Sequence, residues 1–279
     1  MPLSNADNDI RYVPEENLWP GDFCSIAHES RYEWAAQQFP LKNKKILDFG
    51  CGSGYGSHFL ANSAASVLGV DISSQAINFA NGKYAGTASN LHFQVADLTK
   101  ISTKSDLQGK FDVVVSFDVI EHLEKYWIFL ENIQALLANN GVVVIGCPNR
   151  LRSFCSNQKV WNPFHMQEFT PAQFHWLLKH YFQDVQIFGQ NFKNGMMLPN
   201  AESMDSIFFH ARQIAKFFLP EQIVNKIKEY RSTSASYVKY QTKDMVFEKL
   251  DLTDRKQCAR PFGLVAVCSI GVPTTCDAP

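Results

Sequence analysis

The sequence lacks a block of basic residues, closely spaced cysteine pairs and a long apolar run. Its net charge is −1 and it has no Lys/Arg-rich stretch, which disfavours a nucleic-acid partner because such partners need a basic face. The seven cysteines are odd in number and form no CxxC pair, which argues against a disulfide framework and a structural zinc site, so no metal is predicted. No stretch reaches the roughly 18 apolar residues of a membrane span.

The N-terminal residues, the cysteines and the overall composition predict a globular protein of the reducing cytoplasm. Residues 1–9 are polar, without the basic and apolar regions of a signal peptide. Of the 279 residues, 46% are hydrophobic and 19% are charged, which is enough apolar mass for a full core. This length predicts one large domain, or one domain with a lid.

Short apolar segments alternate with helical patterns along most of the chain. The predicted strands are 45–49, 66–71, 91–96, 111–117, 142–146, 184–188 and 262–269. Near-continuous Val/Ile runs separated by helices are typical of a parallel sheet covered on both faces. The sequence therefore predicts an α/β protein with a doubly wound, mostly parallel sheet of seven strands.

Three regions are predicted along the chain. Residues 1–22 are polar and form an N-terminal arm, while residues 23–188 and 262–271 form the α/β domain. The segment 189–261 between the last two strands is too long for a plain loop. It combines a helical pattern with aromatic and polar patches, so we interpret it as an inserted lid or substrate-recognition subdomain.

A glycine-rich turn follows the first strand. Gly50, Gly52 and Gly54 alternate with other residues, and a helical pattern begins at Tyr55. Glycine lets the backbone turn tightly and approach a ligand, while the helix start offers N–H groups. A dinucleotide turn would have the spacing G-x-G-x-x-G. Asp48, just before the turn, would repel a pyrophosphate and suits a cationic amino-acid group.

An aspartate lies at or near the end of each of the first four strands: Asp48, Asp71, Asp97 and Asp118. Ligands of open α/β sheets bind at these carboxyl ends, and a buried carboxylate is costly unless it is paired. We expect Asp71 to accept the hydroxyls of a ribose. Asp97 would meet an adenine amine, with Ile72 and Leu98 on either side of the ring.

These motifs resemble the ordered motifs of class I S-adenosylmethionine-dependent methyltransferases. The resemblance covers about residues 31–190 and rests on Asp48–Gly54, Gly69–Asp71, Ala96–Asp97 and Phe111–Leu123. A closer resemblance, to bacterial methyltransferases found with polysaccharide and natural-product genes, rests on His28–Tyr32, Gly54–Ser57, Glu121–Leu123, Cys147–Asn149 and Asn162–Phe169.

The resemblance implies a Rossmann-like enzyme that uses S-adenosyl-L-methionine to methylate an oxygen or nitrogen of a small molecule or glycan. Such a transferase leaves S-adenosylhomocysteine, and it is expected in the cytoplasm; a homodimer is left open. The residues predicted to bind the cofactor are Arg31, Asp48, Gly50, Cys51, Gly52, Gly54, Tyr55, Asp71, Ile72, Asp97, Leu98, Phe117 and Asp118.

A hydroxyl acceptor would need a general base, whereas an amine or carboxylate acceptor would not. His122 and His165 are the two candidates, and the alternative for each is a structural histidine that caps a loop. We favour His165, because Glu168 can hold its ring in one tautomer. Glu168, Tyr12 and Trp161 are the predicted substrate contacts.

Two other functions remain open at this point. A nicotinamide-dependent oxidoreductase would also use Asp71 for a ribose, although the alternating glycines and Asp48 favour the sulfonium cofactor. A nucleoside-binding protein without catalysis would keep the cradle and lack a working acceptor site.

Overall fold

The computed structural model describes residues 23–101, 107–151, 164–193 and 241–270. The helices are α1 (Phe23–Gln38), α2 (Tyr55–Ala61), α3 (Ser74–Tyr84), α4 (Tyr126–Leu136), α5 (Pro171–Lys179) and α6 (Arg255–Ala259). The strands are β1 (Lys45–Phe49), β2 (Ser66–Asp71), β3 (Leu91–Val95), β4 (Phe111–Phe117), β5 (Leu137–Pro148), β6 (Asp184–Phe192), β7 (Met245–Lys249) and β8 (Gly263–Ser269).

The strands form one sheet in the order β3-β2-β1-β4-β5-β8-β6-β7. The first five pair in parallel, while β8 pairs antiparallel with both β5 and β6, and β7 pairs antiparallel with β6. The predicted α/β class with a mostly parallel sheet is confirmed. The predicted count of seven strands is wrong, because the described sheet has eight.

The additional strand is β7, within the segment predicted to be a lid. Its five residues pair with β6, which extends to Phe192 beyond the predicted end at Phe188. So short a run is hard to recognise beside a helical pattern. Residues 1–22 and 194–240, which hold the arm and most of the predicted lid, lie outside the described residues.

Alternate residues of the central strands bury their side chains on opposite faces of the sheet. On one face Phe49 of β1 stacks on Phe129 of α4, with ring centroids 5.1 Å apart. On the other face Trp34 of α1 stacks on Phe247 of β7, with centroids 4.9 Å apart. Helices therefore cover both faces, as a parallel sheet with apolar strands requires.

Two elements near the carboxyl ends of the strands are helix α5 and the turn that follows β4. The N-cap Thr170 accepts a hydrogen bond from the Gln173 N–H through its hydroxyl, while Gln173 Oε1 accepts from the Thr170 N–H, so α5 begins with a capping box. After β4 the chain makes a short 3-10 turn (Ile120–His122) before α4 begins. No helix among the described residues is long and apolar enough to cross a bilayer.

Candidate active site

The strand order reverses between β1 and β4, and the candidate site lies at the carboxyl ends of these two strands. Two turns meet there: the glycine turn after β1 and the 118–122 turn after β4. A Cβ on Gly50 would lie 2.4 Å from Val119 Cγ2, so the two turns are in direct contact. Open α/β sheets bind their ligands in the crevice at such a reversal.

The glycine turn has a backbone that other residues adopt only with strain. Gly50, Gly52 and Gly54 have φ of 95°, 53° and 84°. The N–H groups of Gly50 and Cys51 donate to the Val70 carbonyl over 2.8 and 3.0 Å, which fixes the turn to β2. A Cβ on Gly52 would meet nothing within 4 Å, so the backbone there borders open space that a ligand can occupy.

Asp48 lies behind the glycine turn rather than in the crevice. Its side chain is 0% exposed and accepts hydrogen bonds from the Ser57 hydroxyl at 2.6 Å and the Tyr32 hydroxyl at 3.2 Å. Burial raises the pKa of Asp48 to about 7, although both hydroxyls oppose that rise. The sequence hypothesis had Asp48 facing the cofactor, whereas this geometry has it anchoring α1 and α2 to β1.

Asp71 has the geometry of a carboxylate that supports the turn and still has acceptor capacity. Its two oxygens accept the N–H groups of Gly52 and Ser73, each over 2.9 Å. A carboxylate oxygen has a second lone pair, so both can accept a further hydrogen bond. The next side chain, Ile72, is apolar and 63% exposed, which leaves a hydrophobic surface beside the acid.

Asp97 and Leu98 follow β3 on the same edge of the sheet. Asp97 accepts from the Thr99 N–H at 2.9 Å and hydroxyl at 2.7 Å, and pairs with Lys100 at 2.8 Å. The hydrogen bonds to Lys100 and Thr99 lower the pKa of Asp97 to about 2. The Leu98 side chain packs in the core, so it differs from the exposed Ile72 with which it was paired in the sequence hypothesis.

Arg31 of α1 forms a buried ion pair with Asp118 at the end of β4. Its Nη1 donates to Asp118 Oδ2, and its Nε donates to Gln190 Oε1 over 2.8 Å. His28 Nδ1 lies 2.8 Å from the same Asp118 oxygen. Burial alone would raise the pKa of Asp118, but Arg31 and His28 hold it well below its usual value. Arg31, predicted to bind the cofactor, is thus occupied in joining three elements.

Asp118 also has a left-handed backbone, with φ of 54°. This conformation is uncommon outside glycine and marks a strained position. Its N–H donates to the Gly146 carbonyl over 3.0 Å, which holds the strained turn against β5. The Asp118 carboxylate is therefore fixed from the backbone and from the side chain.

Glu121 was not among the predicted site residues. Its side chain is 0% exposed, and neither carboxylate oxygen has a hydrogen-bond partner among the described residues. Burial, together with the neighbouring charge of Asp118, raises the pKa of Glu121 well above its ordinary value. The Glu-His-Leu motif gave the residue's position, but nothing in the sequence indicates that its carboxylate is buried without a partner.

His122 and His165, treated as competing candidates from the sequence, lie beside each other. Their ring centroids are 4.8 Å apart in an edge-to-face arrangement. His122 Nδ1 is 2.8 Å from the Phe164 carbonyl oxygen, and His165 Nδ1 is 2.8 Å from Glu168 Oε1. The expected contact between His165 and Glu168 is present; the catalytic role of either histidine stays a prediction.

Backbone contacts hold the two histidine loops together. The Met166 N–H donates to the Glu121 carbonyl over 2.7 Å. The Gln167 amide donates to the Ile120 and Leu123 carbonyls over 2.9 and 2.8 Å. The loop before α5 is thus fastened to the turn after β4, which brings a histidine from each to the edge of the sheet where the glycine turn lies.

Of the other predicted site residues, Tyr55, Phe117 and Cys51 are described by the structure, whereas two predicted substrate contacts are not. Tyr32 makes edge contacts with the rings of Tyr55 and Phe117, at centroid distances of 5.4 and 4.9 Å. The Cys51 thiol is buried, and burial raises its pKa well above the usual value. The predicted substrate contacts Tyr12 and Trp161 lie outside the described residues.

Comparison with known proteins places this site within a sequence family. The family described as "Methyltransferase domain" matches residues 40–190, which includes the glycine turn, Asp71, Asp97 and the two histidines. The chain is 29% identical over 179 residues to a probable S-adenosylmethionine-dependent methyltransferase of Mycolicibacterium smegmatis, covering 64% of each chain. It is 33% identical over 116 residues to a ubiquinone biosynthesis O-methyltransferase of Pelagibacter ubique, covering 41% of this chain and 47% of that one.

The fold has solved relatives as well. A SAM-dependent methyltransferase of Archaeoglobus fulgidus superimposes with a TM-score of 0.54 at 18% identity, over 87% of this chain and 92% of that chain. At this identity the likeness concerns the fold alone. The match spans between about half and 64% of the length of these curated relatives.

Proposed function

Because this chain belongs to the methyltransferase domain family of class I S-adenosylmethionine-dependent enzymes, we propose that it methylates a hydroxyl group of a small molecule or glycan. The observation that carries the proposal is the contact between the glycine turn and the 118–122 turn, at the point where the strand order reverses, because the second turn carries His122 and His122 packs against His165. The similarity to an O-methyltransferase supports oxygen as the methylated atom. Natural-product or polysaccharide biosynthesis is the context that we propose.

The residues at the crevice fit the cofactor. Gly52 borders open space where a side chain would stand, and Asp71 retains acceptor capacity on both oxygens. We assign the ribose hydroxyls to Asp71 and one face of the adenine to Ile72, whose exposed apolar side chain would be covered. The bound cofactor supplies a methyl group that is already activated on a sulfonium.

The main contribution of the chain is to hold the acceptor oxygen in line with that methyl group. Proximity and orientation can contribute up to about 7–11 kcal/mol to lowering the barrier. The rigid elements around Asp118 and the two histidines provide fixed walls for this purpose. Residues 189–192 and 245–249 of the segment 189–261 belong to strands of the sheet, and we propose that the chain between these two strands forms a lid over the acceptor.

The histidines would take the proton of a hydroxyl acceptor. The Phe164 carbonyl can only accept, so His122 donates through Nδ1 and carries its lone pair on Nε2. Glu168 imposes the same tautomer on His165. We assign the role of general base to His165, because a carboxylate behind the ring also stabilises the imidazolium that forms.

The decisive test measures cofactor choice and methyl transfer separately. Calorimetric titration of the full chain should show binding of S-adenosylhomocysteine and none of NAD. Transfer of labelled methyl from S-adenosylmethionine is then compared across phenols, catechols, sugars and amines. Tight binding of NAD alone would refute the proposed activity, and labelling of amines with no hydroxyl product would refute the choice of oxygen.

A further inference from the structure

Glu121, His122 and His165 form a cluster of metal-ligating side chains beside the cofactor cradle. One ligand atom from each of the three residues can be chosen so that all lie within 4.8 Å of one another. The sequence argument against a metal site rested on the spacing of the cysteines and left histidine and carboxylate ligands out. The cluster arises from the packing of two separate loops, which sequence spacing does not reveal.

The carboxylate of Glu121 supplies the strongest indication of a missing partner. It is 0% exposed, and neither oxygen accepts a hydrogen bond from the described residues. Buried charges in proteins are paired or coordinate metals. Arg31, whose positive charge acts on Glu121, is already hydrogen-bonded to Asp118 and Gln190. A bound cation would give the Glu121 oxygens the partner that the described part of the chain does not.

The two histidines are oriented as metal ligands usually are. A ligating imidazole typically donates its second ring nitrogen to a carboxylate or a backbone carbonyl, which fixes the tautomer and increases the basicity of the ligand. His165 meets Glu168 in this way and His122 meets the Phe164 carbonyl, both at 2.8 Å. In both rings Nε2 is then the atom with the lone pair that a metal requires.

The charge around the cluster also favours a cation. The charges that act on the Glu121 carboxylate are those of two further carboxylates, Asp118 and Glu168, and of one guanidinium, Arg31. When all three carboxylates are ionised, a divalent ion would balance the two surplus negative charges and would favour the ionised form of Glu121. Like-signed carboxylates in a desolvated site otherwise repel each other.

We propose that Glu121, His122 and His165 bind one divalent transition-metal ion, with Zn²⁺ as the best match. Two nitrogen ligands and one carboxylate oxygen suit Zn²⁺, and three protein ligands leave a position open for water or substrate. In a tetrahedral site with bonds near 2.1 Å the ligand atoms lie about 3.4 Å apart, so side-chain movements of about 1 Å close the cluster around the ion.

The use of this ion in catalysis rests on the proposed methyl transfer to a hydroxyl, whereas its binding does not. With the ion bound, the Nε2 lone pair of His165 coordinates the metal and cannot take a proton, so the ion replaces this histidine in activating the acceptor. An acceptor hydroxyl on the open position loses its proton to solvent more readily, as metal-bound water does when its pKa falls to about 7. The oxygen lone pair then forms the new bond to the methyl carbon. The carbon–sulfur bond breaks, and its electron pair remains on sulfur as a neutral thioether.

The test measures metal binding directly and without an acceptor. The untagged full chain is stripped with a chelator and titrated with Zn²⁺ against a chromophoric chelator, and with Co²⁺ while its visible absorption is recorded. We expect one equivalent of Zn²⁺ and the intense visible bands of a four-coordinate Co²⁺ site. The variants Glu121→Gln and His165→Gln should bind Zn²⁺ at least 10-fold more weakly. A loss of about 10-fold is expected even when a residue that only supports a metal ligand is changed, so the loss of a ligand itself should be no smaller.

Matched controls are His92→Gln and Glu248→Gln, which change exposed residues outside the cluster and should bind as the wild type does. Thermal unfolding adds a second readout: Zn²⁺ should raise the Tm of the wild type but not that of Glu121→Gln. If Glu121→Gln fails to fold, His122→Gln takes its place in both measurements. Unchanged Zn²⁺ binding in the cluster variants, or no stoichiometric binding by the wild type, overturns the proposal.

Binding of S-adenosylhomocysteine is measured on the same samples. If Zn²⁺ binds to the cluster while the nucleoside does not, the metal site stands and the proposed methyl transfer fails. If the nucleoside binds and Zn²⁺ does not, the metal site fails alone.

Discussion

The imidazole rings of His122 and His165 meet edge to face, with their centroids 4.8 Å apart. They come from the turn after β4 and from the loop before α5, and the hydrogen bond from Met166 to the Glu121 carbonyl holds these segments together. His122 and His165, which were separate candidates for the general base, therefore act as neighbours in one site. A substitution at one ring alters the surroundings of the other.

The first prediction concerns this pair. His165→Ala should lower kcat by about 10²–10⁴-fold, the usual loss when a general base is removed. The dissociation constant of S-adenosylhomocysteine should stay within about threefold, because the lost interaction is made in the transition state. Stopped assays with labelled cofactor and calorimetry measure the two quantities.

The control for this prediction is His92→Ala, which removes an exposed histidine of β3. Glu168→Gln should produce a smaller loss than His165→Ala, since it keeps the ring and weakens only its orientation. Normal turnover in His165→Ala with a loss in His122→Ala would transfer the role of base to His122. Normal turnover in both would indicate an amine or carboxylate acceptor.

The strand-end acids were predictable because parallel strands bring their carboxyl ends to one edge of a sheet. Asp71 and the glycine turn accordingly meet, with the Gly52 N–H donating to the carboxylate over 2.9 Å. The direction in which Asp48 points was not predictable. The alternation of side chains along β1 allows Asp48 to point to either face of the sheet, but it does not show that Tyr32 and Ser57 will cover its carboxylate.

Contacts between distant loops account for most of what the sequence could not indicate. Gln190 binds Arg31 although 159 positions separate them, and no periodicity relates the two. The burial of Glu121 depends on the loop before α5, which contacts it through Met166 and Gln167. Strand β7 is recognised only by its pairing with β6. In each case the packing of two segments decides the environment, and neither segment carries the signal alone.

The second prediction concerns the ribose contact. Asp71→Ala should weaken the binding of S-adenosylhomocysteine by one to two orders of magnitude, because hydrogen bonds to a charged group contribute roughly 1.5–3 kcal/mol. Part of this loss would come from the Gly52 N–H, which loses its acceptor. Calorimetry on Asp184→Ala, which removes an acid at the start of β6, provides the comparison. An unchanged dissociation constant in folded Asp71→Ala would contradict the proposed position of the ribose.

The third prediction separates ligand contact from backbone strain in the glycine turn. Gly52→Ala places a methyl group in the open space and forces alanine into a left-handed conformation, at a cost of about 1–2 kcal/mol. We expect a modest fall in Tm and a loss of cofactor binding of at least tenfold. Gly82→Ala in helix α3 also meets no neighbour, and it should raise stability by about 0.5–1 kcal/mol without affecting binding. Full binding by Gly52→Ala would place the cofactor elsewhere.

The fourth prediction follows from the pKa of Asp48. The folded protein holds this pKa at about 7, whereas the unfolded chain has the ordinary value near 3.9. The folded state therefore binds the proton more tightly, and the corresponding stability is complete below about pH 4 and is lost as the pH rises to about 7. Integrated over this window the loss is about 4 kcal/mol.

The variant Asp48→Asn should remove this dependence, because its amide resembles the protonated acid in shape and can still bind the Ser57 and Tyr32 hydroxyls. Urea unfolding between pH 4 and pH 7.5 measures the difference. The free energy of unfolding of the wild type should fall relative to that of the variant as the pH rises. Parallel pH profiles would show that Asp48 keeps an ordinary pKa in the folded protein.

The last prediction tests whether Arg31 positions the site or touches the cofactor. Arg31→Met keeps most of the apolar volume and removes the guanidinium partner of Asp118, while His28 stays beside the carboxylate. The loss of stability should approach the value of about 3–5 kcal/mol that a broken buried ion pair costs. Adding Asp118→Asn removes the carboxylate charge that has lost its guanidinium, and asparagine tolerates the left-handed backbone at this position. The double variant should regain part of the lost stability, which a double-mutant cycle measures as a coupling energy. If Arg31 acts only by holding Asp118, the double variant should also recover cofactor affinity relative to Arg31→Met. A persistent loss of affinity in a stably folded double variant would instead restore Arg31 to the role of a direct cofactor contact, which its motif had indicated.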